Sequence, residues 1–160
     1  MKYLLFGGAP NTGKTGGITR LASLLITSKG FKVITNWNYP PTATNSDFRI
    51  ILAGLDNKKN LIRIYLNSAT DTKKIIKECE KFHNANHPPV DIIVSSIRDV
   101  LSARTDFFYI MNVDNSKDYI IELPLAKVRK GKHRALCLKW YETKLDNLVM
   151  NTLENNPFNL

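Results

Sequence analysis

The spacing of hydrophobic and polar positions changes several times along the chain, and each change predicts a different element. Tyr3-Leu4-Leu5-Phe6 is an unbroken apolar run that reads as a buried strand. Apolar residues then recur at Ile18, Leu21, Ala22, Leu24 and Leu25, which marks one face of a helix, and Lys29-Gly30 supplies its stop. Phe31-Lys32-Val33-Ile34-Thr35 predicts a second strand, and Asn36 to Asp47, with Pro40 and Pro41, a loop. Phe48 to Gly54 and Leu61 to Leu66 flank Asp56-Asn57-Lys58-Lys59-Asn60 and predict a hairpin. Thr72 to His83 predicts a helix with Ile75, Ile76, Cys79 and Phe82 on one face, capped by Asp71 or Thr72. After Pro88-Pro89, Val90 to Ser96 reads as a buried strand. A helix over about 101 to 111, a strand over Asp118 to Leu125 and a closing helix over about Leu136 to Leu153 follow. Asn155 to Leu160, rich in Asn and Pro, is expected to fray.

This order of elements predicts an α/β fold. The expected form is a three-layer sandwich with a mainly parallel sheet of about five strands, plus an antiparallel hairpin. The 160 residues make one domain, 1–154, with a flexible tail at 155–160; 43% hydrophobic and 23% charged residues suit a globular core. There is no internal repeat. No apolar stretch approaches the roughly 20 residues that cross a bilayer, so no membrane partner is expected. Met1-Lys2-Tyr3-Leu4-Leu5-Phe6 stops at Gly7, too short for a signal peptide. Cys79 and Cys137 lie far apart without metal-ligand spacing and read as free thiols in a reducing cytoplasm.

The most informative segment joins the first strand to the first helix. Gly8-Ala9-Pro10-Asn11-Thr12-Gly13-Lys14-Thr15, followed by Gly16, is a complete G-x-x-x-x-G-K-[ST] phosphate loop. At ordinary residue frequencies a chance match in a chain of this length has a probability on the order of 1%. Backbone N–H groups at a helix start hold phosphate well, and the two glycines let the chain come close to it. Lys14 can reach the β- and γ-phosphates, and the Thr15 hydroxyl can take one position on Mg²⁺. The plain alternative is a glycine-rich turn with an incidental Lys-Thr.

Charge adds a second feature. The net charge is +9, and Lys127, Arg129, Lys130, Lys132 and Arg134 fall within eight residues, with His133 among them. The cluster could contact polynucleotide phosphates, close over a nucleotide as a lid, or simply face water.

Residues 3 to 29 resemble the P-loop NTPase superfamily. The resemblance covers about a sixth of the chain and implies binding of Mg-ATP or Mg-GTP. In that superfamily a second apolar run ends in an acidic residue that holds the magnesium-bound water. Asp56 follows such a run but falls in the hairpin turn, Asp71 lies beyond a strand at a helix cap, and Val90 to Ser96 ends in serines. Asp71 is the preferred metal residue beside Thr15. Ile93-Val94-Ser95-Ser96-Ile97-Arg98-Asp99 is similar to the strand-and-arginine segment of nucleoside monophosphate and phosphomevalonate kinases. That similarity implies a charge-managing role for Arg98, with Arg104 or Arg129 as lid residues; pairing of Arg98 with Asp99 or Asp106 explains the same letters. The hairpin and the Asn-Ser-Ala-Thr-Asp segment also look like small ATP-binding proteins of bacteria and mobile elements whose activity is not settled.

Other chemistries find little support. His83, His87 and His133 are not arranged with carboxylates or cysteines as a metal site, and there is no G-x-S-x-G elbow. Trp37 and Tyr39, beside Asn36 and Asn38, could stack on a base or acceptor, or cover the core. Three function classes therefore stand. The first is an NTPase, with Lys14 and Arg98 as its catalytic residues. The second is a kinase with a small-molecule acceptor near Trp37 and Arg98. The third is a nucleic-acid-associated ATPase using the 127–134 cluster, against which the short chain leaves little room for a separate DNA-binding domain. The sequence leaves base preference and oligomeric state open.

Overall fold

A computed structural model describes residues 1–41, 46–86 and 88–160. The expected loop from Asn36 to Asp47 is thus described in part, and His87 lies outside the described residues. The elements in order are β1 (Lys2–Gly8), α1 (Lys14–Thr27), β2 (Lys32–Trp37), β3 (Arg49–Leu55) and β4 (Leu61–Asn67), then α2 (Lys73–Asn84), β5 (Ile92–Arg98), α3 (Leu101–Ile110), β6 (Tyr119–Pro124) and α4 (Arg134–Glu154).

All six strands join one sheet in the order β2-β3-β4-β5-β1-β6. β4, β5, β1 and β6 pair in parallel, and β3 is antiparallel to both β2 and β4. Only β3 therefore runs against the rest. The hairpin expected as an addition to a five-stranded sheet is part of it, because β4 continues directly into the parallel set. Its turn is built by Asp56, whose Oδ1 accepts from the Lys58 and Asn60 N–H groups at 2.8 Å each. Asp56 is thereby spent as a turn residue.

Helices cover both faces, giving three layers. One core joins Ile18, Leu21 and Leu25 of α1 and Leu145, Val149 and Leu153 of α4 to Leu4, Phe6, Ile50 and Val94 of the sheet. The other joins Ile76 and Cys79 of α2 and Phe107 of α3 to Tyr3, Leu5, Tyr65 and Ile93. Alternate residues of β1 thus enter opposite cores, as the two-residue period of a strand requires, and the continuous apolar run follows from burial on both sides.

The closing residues do not fray. Phe158 and Leu160 are buried, the Leu160 N–H donates to Leu153 O at 2.8 Å, and the Asn57 N–H donates to Asn159 O at 3.0 Å. The Asn and Pro letters signal irregular backbone, yet the two apolar side chains anchor that backbone to the α1–α4 core. Phe158→Ala is expected to destabilise the protein by about 3 kcal/mol, from lost burial and the cavity left behind. Urea unfolding checks this, and a variant as stable as wild type would show that the tail contributes no core.

Candidate functional site

The parallel connections fix where a ligand can sit. β1 leaves into α1 on one face, whereas β5 leaves into α3 on the other and returns as β6 beyond β1. The chain departs in opposite directions from two neighbouring strands, which opens a crevice at their C-terminal ends. Gly8 and Arg98 are register partners at that edge. Because β3 is antiparallel, its start also lies there, next to the end of β4 at Asn67. Four chain segments distant in sequence therefore converge: the loop after β1, Asp47 before β3, Ser68 to Asp71 after β4, and Arg98-Asp99 at the end of β5.

The loop after β1 has the conformation its letters demand. Gly13 is the residue before α1 and is left-handed, with φ 85°, a region that favours glycine. A Cβ on Gly8 would lie 2.8 Å from Thr12 Oγ1, which itself donates to Ala9 O at 2.9 Å, so the loop closes too tightly for a side chain there. Ala9, Pro10 and Asn11 form the exposed rim, and Thr12 is buried beneath it. The Gly17 N–H makes the first helical bond, to Gly13 O at 2.8 Å. The N–H groups of Lys14, Thr15 and Gly16 precede that bond, and no side chain caps this helix end and no acidic residue occupies its first turn. The site is therefore shaped for an anion. Lys14 folds back across the loop, its Nζ donating to Gly8 O and Ala9 O at 2.8 Å each. Burial lowers its pKa; nearby Asp71 and Asp99 oppose that shift, and Arg98 adds to it.

Arg98 meets Asp71 rather than Asp99 or Asp106: Nε donates to Asp71 Oδ1 at 2.6 Å. This hydrogen bond, above all, holds the Asp71 carboxyl below its ordinary pKa, with the charges of Arg98 and Lys14 adding to it. Asp71 is free for this contact because Thr72 caps α2, its Oγ1 accepting from the Ile75 N–H at 3.3 Å. The serines ending β5 have a structural task. Asn67 Nδ2 donates to Ser95 Oγ at 2.9 Å and Thr70 Oγ1 donates to Ser96 O at 3.0 Å, with all four residues buried. These bonds clamp the segment carrying Ser68 and Asp71 to the neighbouring strand. Thr15 Oγ1 faces that segment, 3.5 Å from Ser68 O.

Sequence reading passed over Asp47 as a loop residue. Its Oδ1 is 3.4 Å from Ser68 Oγ, and burial first and the charge of Asp71 second raise its pKa. Asp47 and Asp71 thus feel each other's charge, and Ser68 links Asp47 to the Thr15 hydroxyl, so the three side chains offer oxygen donors in one region. This all-oxygen donor set fits a hard divalent cation, whose charge would offset the mutual repulsion of the acids. No local letter pattern marks Asp47, since it is brought there by the antiparallel β3 that follows it.

Other expected site residues lie elsewhere. Arg104 pairs through both guanidinium nitrogens with Glu122, beside Gly7, and is not a free lid residue. Arg129 is exposed in the loop after β6. Tyr39 packs on Phe48, with ring centroids 5.1 Å apart, and so covers the core. Trp37 is half exposed at the end of β2, with the Arg49 guanidinium 4.6 Å from its ring centroid. A larger concavity of about 660 Å³ lies away from the phosphate loop, between the end of α1 and the β3–β4 turn. The loop is the better candidate because its polar groups converge, whereas that concavity is a broad, mostly apolar trough.

Comparison of the chain with protein-family models, with curated proteins and with solved structures finds no match.

The two acids give opposite pH signatures in the metal-free protein. Asp71, with a pKa depressed below 3.8, contributes stability above about pH 4 that is lost as pH falls through its folded value. Asp71→Asn is therefore expected to destabilise at pH 7, by under about 1 kcal/mol because the pair is partly exposed. Asp47, raised above 3.8, contributes stability below that value and loses it as pH rises through its folded value. Asp47→Asn is expected to stabilise at pH 7, and both differences should shrink at pH 3. Urea unfolding at the two pH values checks this; a destabilised Asp47→Asn at pH 7 contradicts the shared-site geometry.

Proposed function

We propose that the chain binds a nucleoside triphosphate with Mg²⁺ at the β1–α1 loop and hydrolyses it, as a P-loop NTPase. The observation that carries this reading is the convergence on one crevice of an uncapped loop–helix start, Lys14, Arg98 and two carboxylates. In this proposal the loop Gly8 to Gly16, through its backbone N–H groups other than at Pro10, and the Lys14 ammonium hold the β- and γ-phosphates. Thr15, Asp71 and Asp47 would hold Mg²⁺, which supplies charge neutralisation between the phosphates when bound. Arg98 would face the charge that develops on the transferred phosphoryl.

The Arg98–Asp71 pair joins a group suited to phosphate with one suited to metal. Binding both ligands exchanges this pair for two new ones, so the separation costs little net charge pairing. Hydrolysis is favoured over transfer to an acceptor held between Trp37 and Arg98. Those residues end β2 and β5, with β3 and β4 between them, a separation of about 14 Å at ordinary strand spacing. The setting proposed is a reducing cytoplasm, which agrees with Cys79 and Cys137 both being free. Among the described residues no helix is long and apolar enough to cross a membrane.

Thermal unfolding with ATP, GTP and deoxynucleoside triphosphates, each with Mg²⁺, tests the reading. At ligand about 100-fold above Kd, stabilisation of about 2.7 kcal/mol should raise the Tm by about 5 °C or more. Lys14→Ala, with its fold confirmed by circular dichroism, should lose the shift. Asp47→Asn and Asp71→Asn should lose mainly its Mg²⁺-dependent part. The absence of any shift in wild type at millimolar nucleotide would sink the proposal, and ADP release without added acceptor separates hydrolysis from transfer.

A further inference from the structure

We infer that the loop 125–133 and the outward face of the first turns of α4 form a binding site for single-stranded polynucleotide. This site borders the nucleotide crevice at Lys127, and its test does not depend on the crevice being occupied.

Between residues 127 and 141 there are six lysines and arginines and no carboxylate, in a chain whose net charge is +9. Among the described residues none of these six cations enters an ion pair, whereas Arg20, Arg49, Arg98 and Arg104 all do. The nearest acids on α4, Glu142 and Asp146, pair with Arg20 of α1, at 3.2 and 2.8 Å. The outward stripe is left without negative charge. It carries Leu136, Trp140 and Lys144 at successive i,i+4 positions, and Leu136 and Trp140 are 71% and 62% exposed. Arg134 to Cys137 are all exposed, so this end of α4 stands clear of the body. The Ala126 N–H donates to Tyr141 Oη at 2.9 Å, which fastens the basic loop to the helix as one surface.

An exposed indole set among unpaired cations suits a strand whose phosphates and unstacked bases are both available. A duplex hides its base faces, so Trp140 would contribute little there. An anionic bilayer would need a continuous apolar stripe, but Lys144 separates Leu136 and Trp140 from the half-exposed Leu148, with Thr143 and Asn147 beside it. The surface starts at the phosphate loop: Lys127 lines a recess of about 190 Å³ together with Gly8, Ala9 and Thr12.

The test is fluorescence anisotropy of a labelled oligothymidylate of about 15 nucleotides, without nucleoside triphosphate, so that it stands apart from the NTPase reading. With about five phosphate contacts, log K should fall with log salt at a slope of about −3.5. Trp140→Ala should weaken binding about tenfold with the slope unchanged, and Trp140→Phe should restore most of it. Lys130→Gln with Lys132→Gln should weaken binding and flatten the slope by about 1.4. All these positions are exposed, and retained thermal unfolding confirms that the variants fold. The inference is overturned by no binding at about 50 mM salt, or by binding indifferent to Trp140→Ala. It is equally overturned if polyglutamate, duplex or anionic vesicles bind as tightly as the single strand.

Discussion

The parallel pairing of β1 with β5 on one edge and β6 on the other is the constraint on which the rest depends. A strand hydrogen-bonded on both edges and covered on both faces cannot shift register without moving Leu4 and Leu5 into the wrong cores. Its C-terminal end is therefore a fixed platform. With α1 forced to one face and α3 to the other, the crevice at that end follows from the topology rather than from any residue within it.

What occupies the platform's rim is set by a buried polar clasp. Asn67 with Ser95, and Thr70 with Ser96, tie the exit of β4 to β5. Buried hydroxyls and amides unpartnered would be costly, so these bonds give the β4–α2 connection a single geometry. Ser68 and Asp71 are thereby presented to Thr15 and Arg98. Asp47, brought alongside by the antiparallel β3, adds a second carboxylate where one is already present. Burial first, and the charge of Asp71 second, raise its pKa.

Charge is divided between two regions with different rules. In the crevice, opposite charges are matched: Arg98 on Asp71, and Lys14 among Asp71, Asp99 and the loop carbonyls. On the loop after β6 and the start of α4 the cations are unmatched, since the acids of α4 pair with Arg20 and Lys29 of the α1 side. Matched charges favour an exchange of partners on binding; unmatched ones favour a polyanion and a steep dependence on salt.

Much of the fold was legible in the sequence. The apolar pattern located all six strands and all four helices, mostly because burial on one face or two is written into short windows; β2 was found by its β-branched run although Val33 and Ile34 are exposed. The loop from Gly8 to Thr15 was legible for the same reason: a left-handed Gly13 and an approach too tight for a Cβ at Gly8 are demands on single residues. Thr72 as cap and Asp56 as turn residue are equally local. The tail was misjudged because backbone letters were weighed above Phe158 and Leu160, whose partners lie elsewhere in the chain. Asp47, the serines of β5, the spending of Arg104 on Glu122 and the pairing of Arg98 with Asp71 depend on strand order. They join residues 18 to 28 positions apart, or in the case of Ser68 and Asp47, 21. The sequence by itself determined the elements and the tight β1–α1 loop, since those follow from neighbours along the chain. Only the tertiary structure decided which charges meet at the crevice and which stay unpaired, because a contact across a sheet edge is fixed by topology and burial, which no local pattern encodes.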